Sequence, residues 1–376
     1  MRIVQIVLSL DIGGQERLVL RMAQAFHERG HDVHVVTLTP GGTLRGELGT
    51  LPVHDVLRRP GFDTGLYTRL WRLFRSLRPD VVHTHNSVPL EYAAPAARLA
   101  RVPCILHTKH GHIAYSKASL QLARAATAFV DHFVAVSRDT ATTAEQNERP
   151  RPTRLSVIEN GIPLGRFAPD ELARRAIREE LGIPKTALVV GSVGRLVEEK
   201  DYPLLVRAMG PLLGEQVRLV IVGEGIVRAA IEAAIAELPP SARERVTLTG
   251  ARRDVSRVLS AFDVYASSSR AEGLPLALAE AMASRLPIVA TAVGGVPDIV
   301  PSQVGVLVPH GDPQALRAEI NLLLEDSAVR SAMAQAARTY ALGRFAEERM
   351  LDRYLELYAR RRAGGLARGP RDTPVP

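Results

Sequence analysis

Residues 270–282 read Arg270-Ala271-Glu272-Gly273-Leu274-Pro275-Leu276-Ala277-Leu278-Ala279-Glu280-Ala281-Met282. An apolar run, Phe262 to Ala266, predicts a strand ahead of this stretch, and Ser267 to Ser269 a polar turn. Pro275 suits a first helical position, because its ring pre-sets φ and the hydrogen it lacks has no partner there. Good helix formers run on from Leu276. A strand, a turn and a helix in that order leave unpaired N–H groups at the helix start, where an anion can bind. Glu272 falls just before the helix. Glu280 lies inside it, roughly 8 Å further along the axis at 1.5 Å per residue. The two carboxylates are too far apart to share a proton but can hold two ends of an extended ligand. Glu280 suits the vicinal hydroxyls of a ribose and Glu272 a sugar, with phosphate on the N–H groups between. The same residues also read as a first-turn Glu favoured by the helix dipole and a solvent-facing Glu beyond it.

Glu272 and Glu280, with Gly273, Leu274 and Pro275 between them, resemble the E-x7-E signature of the family 4 glycosyltransferases, which are retaining enzymes of the GT-B fold. The resemblance implies an α/β architecture of two doubly wound, Rossmann-like domains facing across a cleft. The boundary is expected near residue 164, after Asn160-Gly161-Ile162-Pro163, a turn that resembles the family's hinge entry. Residues 1–163 then form an acceptor-side domain and 164–343 the nucleotide-sugar donor domain. Residues 344–362 form a last helix crossing back onto the first domain. Residues 363–376 are rich in Gly, Pro and Arg and are expected to be disordered.

A length of 376 residues suits two domains of about 150 each. No apolar run reaches the roughly 20 residues of a membrane span. Met1 to Leu8 reads as a core strand rather than a leader. Cys104, the one cysteine, lies in an apolar run as a small core residue, which excludes an intramolecular disulfide. A cytoplasmic location is expected. The net charge of +8 is uneven: residues 1–165 carry 20 Lys+Arg against 14 Asp+Glu, and residues 360–376 five Arg against one Asp. A basic first half suits an anionic partner, such as acidic lipid at the inner face of a membrane or a lipid-linked phosphate. No motif and no interleaving of aromatic with basic residues point to nucleic acid.

In the first half, Val4 to Leu8 predicts a strand, Asp11 to Arg17 a turn, Leu18 to Arg29 a helix closed by Gly30, and Val33 to Leu38 a second strand. Sheets wound this way bind ligands at the carboxyl ends of their strands, where Gly13 and Gly14 fall. The pair is not a dinucleotide fingerprint. The resemblance makes it a place where backbone amides approach the donor's phosphates and sugar; a tight turn needs glycine in any case. Leu66, Leu70, Leu73, Phe74 and Leu77 alternate with arginines around Trp71, as in a crossover helix or a basic helix lying on a membrane. Strands ending in His83, His85, His107, His110 and His112 place imidazoles at the sheet edge, without the carboxylates or cysteines of a zinc site. The resemblance assigns the functional histidine to His110, with His107 as runner-up, donating to a sugar hydroxyl. It also assigns Ser137, at the end of the Phe129–Ser137 strand, a place beside the donor. A surface histidine capping its strand is the plainer reading. Arg149-Pro150-Arg151-Pro152 is a breaker cluster.

The second half restarts the pattern with a strand, Ala187 to Ser192, and the loop Gly194 to Tyr202 leading to a helix from Pro203. Arg195 and Lys200 match the family's two cations on the donor diphosphate, where fixed positive charge favours the transition state over the ground state. A surface loop salt-bridged through Glu198 and Glu199 is the plainer reading. Gly223 ends the next strand in a turn that the resemblance puts near the nucleobase, with Arg252 close by. After Gly343 an amphipathic helix is expected over Phe345 to Arg361.

The resemblance implies a hexosyl transfer from a nucleotide sugar, with UDP favoured, to a glycan or a lipid-linked precursor of a surface polysaccharide. Glu272, Arg195, Lys200 and His110 are then the catalytic residues. Gly13, Gly14, Gly273, Leu274, Glu280, Gly223, Arg252, His107 and Ser137 hold the donor. No Asp-x-Asp pair occurs, so no metal and no cofactor is expected. Two other classes stay open. A hydrolase or epimerase of the same body would release free sugar or an epimer without an acceptor, although glycosidases set their carboxylates across the scissile bond. A basic module for lipid or nucleic acid would bind those without affinity for a sugar nucleotide.

Overall fold

The computed structural model describes residues 1–11, 13–111 and 115–362. His112 and the tail 363–376, expected to be disordered, lie outside the described residues. The chain forms two compact units: Met1–Asn160 together with residues 348–362, and Gly161–Glu347.

In the first unit the strands are β1 (Arg2–Val7), β2 (Asp32–Thr37), β3 (Val53–Asp55), β4 (Val81–His85), β5 (Cys104–Lys109), β6 (His132–Ala135) and β7 (Leu155–Val157). They pair in the order β3-β2-β1-β4-β5-β6-β7, all parallel. In the second they are β8 (Leu188–Val193), β9 (Val217–Val222), β10 (Val246–Leu248), β11 (Val264–Ser267), β12 (Ile288–Thr291) and β13 (Gly305–Val308). Their order is β10-β9-β8-β11-β12-β13, again parallel. Parallel sheets are covered on both faces, which is why the strands read as near-continuous apolar runs.

On one face of the first sheet, Leu66, Leu70 and Phe74 of the helix Thr64–Leu77 join Val82 and Ile105 in one apolar cluster. That is the crossover-helix arrangement, with Trp71 39% exposed. On the other face the helix Glu347–Arg362 seats Tyr354 and Tyr358, both fully buried, against His83 and Phe26. Arg29 pairs with Asp352 at 2.6 Å, and Arg353 donates to the Val157 carbonyl at 2.8 Å. The last helix is thus part of the first unit's core.

Several boundaries shift for local reasons. The helix Leu276–Ala283 starts one residue after Pro275, which is its cap. β11 begins at Val264 rather than Phe262, because the Phe262 N–H still bonds back to the Leu259 carbonyl at 3.1 Å, while its ring packs on Gly191 of β8. A Cβ at Gly191 would lie 2.0 Å from that ring. Gly343 does not open the last helix. It lies near the end of another, Ser327–Arg344, and the final helix begins at Glu347.

Candidate active site

In the second unit the strand–turn–helix around Glu272 places a cation against a carboxylate. Lys200 Nζ lies 2.5 Å from Glu272 Oε1, and the Ser269 hydroxyl donates to the same oxygen at 2.6 Å. Ser268 fixes the cation's backbone, donating to the carbonyls of Lys200 and Asp201 at 2.9 Å. Next to it Asp201 Oδ2 takes Arg270 Nε at 2.9 Å and His310 Nε2 at 3.1 Å. Asp201 is 4% exposed at its side chain and has φ 42, a left-handed conformation held by these partners. Its carboxyl sits below the ordinary range: burial opposes the charge, but the bonds from Arg270 and His310 outweigh it.

Ser192, Lys200, Tyr202, Tyr265, Glu272 and Pro275 line a small cavity of about 10 Å3, enough for roughly one water. Tyr265 donates to the Val193 carbonyl at 3.0 Å, and burial pushes its hydroxyl pKa up.

Glycine is required here at two close approaches. Gly223, at φ 151, presses its backbone on Gly194, and a Cβ would meet the Gly194 oxygen at 1.9 Å. Gly294, at φ 52, does the same to the Glu272 oxygen at 1.8 Å. The Gly223 turn therefore closes directly under the loop that carries Arg195 and Lys200. Arg195 is exposed, Leu274 buried, and Gly273 and Glu280 half-buried.

Arg252 is placed differently. Its guanidinium lies against Glu180 and 2.8 Å from Asp254. The charge that the sequence offers to a ligand is held by two carboxylates.

In the first unit the turn at Gly13 and Gly14 and the end of β5 meet. Gly13 caps the helix Gly14–Glu28, and Gln15 in its first turn accepts a bond from Asn86 Nδ2. Asn86 Oδ1 accepts from the His110 backbone N–H at 2.9 Å. Asn86 stands at φ 60, which costs a non-glycine residue on the order of 1–3 kcal/mol. His110 Nε2 is 2.9 Å from His85 Nδ1, and its Nδ1 is buried with no partner among the described residues. Burial lowers the pKa of His110 to about 3, so the ring is neutral.

Two expected donor contacts move into the core. His107 is 2% exposed, bonded to Thr84 at 2.9 Å and edge-on to Phe133. Strand alternation turns it onto the face that carries Ile105 and the helix Thr64–Leu77, away from the His83–His85 face. Ser137 is 1% exposed and caps the helix Arg138–Asn147, accepting from the Thr140 N–H at 3.0 Å and donating to its hydroxyl. Both are satisfied structural residues.

The sequence reading missed a buried ion pair. Lys109 Nζ lies 2.7 Å from Glu148 Oε1, with both side chains essentially inaccessible, and the Tyr115 hydroxyl donates to the same oxygen at 2.5 Å. A lysine next to His110 was the available signal. Its partner lies 39 residues on, beyond local reading. Among the described residues no group of three or more His, Cys, Asp or Glu could hold a metal ion.

Each unit is thus a parallel sheet with polar groups gathered at the carboxyl ends of its strands. The pattern described as "Glycosyl transferases group 1" matches residues 173–340, and "Glycosyltransferase Family 4" matches residues 12–166. The GDP-mannose-dependent alpha-mannosyltransferase of Mycobacterium tuberculosis is 30% identical, over 89% of each chain. The UDP-Gal:alpha-D-GlcNAc-diphosphoundecaprenol alpha-1,3-galactosyltransferase of Escherichia coli is 28% identical, over 77% of each. The crystal structure of Anabaena Alr3699/HepE with UDP-glucose matches at a TM-score of 0.83, 24% identity, covering 96% of this chain and 99% of that one. The chain belongs to glycosyltransferase family 4, group 1: it is an enzyme that transfers sugar from a nucleotide-sugar donor.

Proposed function

We propose a retaining, metal-independent transfer of a hexosyl group from a UDP-sugar to a lipid-linked glycan or a surface-polysaccharide precursor. The observation that carries this reading is the Lys200–Glu272–Ser269 cluster at the end of β11, just ahead of the helix Leu276–Ala283. A fixed cation beside the first N–H groups of a helix suits a diphosphate, and Glu272 and Glu280 suit hydroxyls on either side of it. Arg195 adds charge from the same loop. These groups supply the countercharge that a divalent ion supplies in other transferases. As the bond from the sugar's anomeric carbon to the diphosphate breaks, the acceptor oxygen bonds to that carbon on the same face. The leaving phosphate oxygen takes the acceptor's proton, so no separate base is needed. His110 is assigned to a hydroxyl of the transferred sugar. Uridine and a lipid-linked acceptor are favoured by the UDP-glucose bound in the Anabaena structure and by the diphosphoundecaprenol-linked acceptor of the Escherichia coli relative.

The first unit is read as the acceptor side, with residues 1–163 and the last helix, and 164–343 as the donor side. The excess positive charge of the first half suits a phosphate-bearing acceptor at an anionic membrane surface. Arg124, Arg149, Arg151 and Arg154 line a cavity of about 140 Å3 there. No helix among the described residues is long and apolar enough to cross a membrane.

The test is a thermal-shift panel of UDP, GDP, ADP and their sugars. A ligand held only by the folded state raises the melting point, by about 2.7 kcal/mol of stability at one hundred times its Kd. UDP compounds should raise it in the wild type and not in Lys200→Ala. A shift by GDP compounds alone would reassign the base. No shift by any nucleotide would overturn the donor site.

A further inference from the structure

The polar groups behind His110 form a continuous chain inside the first unit, and none of them has a role in the reading above. Tyr358, on the last helix, has its hydroxyl 2.7 Å from His83 Nδ1, and Gln5 Nε2 points to the same oxygen at 3.4 Å. Gln5 Oε1 lies 2.8 Å from His85 Nε2, and His85 Nδ1 lies 2.9 Å from His110 Nε2. His83 Nε2 continues to Thr108 at 2.7 Å, and Thr108 to Tyr354 at 3.1 Å. Gln5, His83, His85 and Tyr358 are all fully buried.

Buried groups at these distances must be matched donor to acceptor, which gives the chain a direction. Gln5 turns its amide nitrogen to the Tyr358 oxygen, which accepts there, and the one hydrogen of Tyr358 goes to His83 Nδ1. That turns the Gln5 oxygen, which can only accept, toward His85, so His85 Nε2 carries the hydrogen. His85 is neutral because burial holds its pKa far below 6.5. Its Nδ1 is then a lone pair and takes the hydrogen of His110 Nε2. His110 is neutral too, so its remaining nitrogen, Nδ1, is bare.

We propose that Gln5 and His85 are positioning residues that lock His110 in the Nε2–H tautomer, presenting Nδ1 as a hydrogen-bond acceptor for a hydroxyl of the transferred sugar. This inverts the donor role expected from sequence. It also gives the last helix a second task beyond packing: Tyr358 holds the amide of Gln5 the right way round. The unpartnered, buried Nδ1 of His110 is the atom left over for a ligand. The catalytic use rests on the donor-transfer reading; the tautomer does not.

The experiment therefore has two arms. Nitrogen-15 NMR of the full chain, labelled at histidine and without substrate, reads the tautomer directly. The His110 Nδ1 resonance should be that of an unprotonated ring nitrogen and should stay so from pH 5.5 to 8. A protonated Nδ1 overturns the proposal whatever the enzyme's activity. The second arm measures transfer by folded variants of Gln5. Gln5→Met removes the acceptor facing His85 and should lower kcat/KM on the order of tenfold to a hundredfold, the scale known for groups that orient metal-bound histidines. The loss should fall on kcat more than on KM, and Gln5→Glu, which keeps an acceptor there, should recover most of it. Equal activity of Gln5→Met and wild type overturns the positioning role. If Gln5→Met fails to fold, the Gln5→Glu activity and the wild-type NMR still decide. If no transfer by the wild type is found at all, the tautomer measurement stands alone.

Discussion

Around Lys200 the second unit gathers charge, with two ion-paired clusters, Lys200–Glu272 and Arg270–Asp201–His310, side by side through Lys200 and Asp201. Around His110 the first unit gathers neutral groups: three imidazoles, an amide, a threonine hydroxyl and two phenols in a buried, hydrogen-bonded row. On the proposed roles, the difference follows from what each would stabilise. A diphosphate leaving group gathers negative charge as it departs, and a pre-placed cation answers that charge without reorganising. A sugar hydroxyl carries none, so a neutral acceptor fixed in direction serves it better, and burying a charge there would cost several kcal/mol.

The sharpest way to break this comparison is to remove the cation. Lys200→Ala should lower turnover on the order of 10²–10³-fold in a folded protein, the usual cost of losing one group that stabilises transition-state charge. Glu272→Ala should be of similar size, since it loses a sugar contact and the anchor of Lys200 together. Steady-state rates with melting points as controls check both. Wild-type turnover in either would remove the second unit's charge from the mechanism.

Next in size is the exception inside the first unit, the Lys109–Glu148 pair, which is charged and buried. Glu148→Ala leaves an uncompensated ammonium in the core and should cost about 3–5 kcal/mol of stability. Chemical denaturation reads that cost. If it is small, Lys109 has lost its proton in the variant, which a shift of the loss with pH would show.

The neutral row also predicts a pH dependence. Burial holds His83 and His85 of the row well below 6.5 and His110 down to about 3, and outside the row it lowers His107 and His132 as well. Below pH 6.5 the unfolded chain takes up protons at these rings and the folded chain does not. Stability is therefore complete above about 6.5 and falls as the pH drops toward 3, by about 1.4 kcal/mol per pH unit for each ring. Denaturation midpoints between pH 7.5 and 5 check it. A flat profile would mean the row is already protonated, and the neutral half of the comparison would fail.

The parallel sheets were legible in sequence, because buried parallel strands announce themselves as apolar runs between helical patterns. So was the junction at Glu272, whose spacing and flanking turn are local. The partners were not. Ser269 and Lys200 converge on Glu272 from positions 3 and 72 residues away, and His310 reaches Asp201 from 109 away. His107 and Ser137 misled for a related reason. A strand's end shows which residues are near the sheet edge, but alternation decides which face each side chain takes. For His107 that face is core, and Ser137 spends its hydroxyl on a helix cap.

Arg252 offers the smallest and most diagnostic effect. The sequence placed it near the nucleobase, as part of the charged half. The structure pairs it with Asp254 and Glu180, and those bonds push its pKa further up. A guanidinium with two carboxylate partners has little net charge left to give a ligand. Partly exposed pairs of this kind contribute about 0–1 kcal/mol. Arg252→Ala should therefore cost no more than that in stability and leave the nucleotide-induced rise in melting point within its wild-type range. A selective loss of that rise, with the unliganded melting point unchanged, would show that Arg252 exchanges its carboxylate partners for the ligand. The charged region would then extend from Lys200 across to the loop after β10.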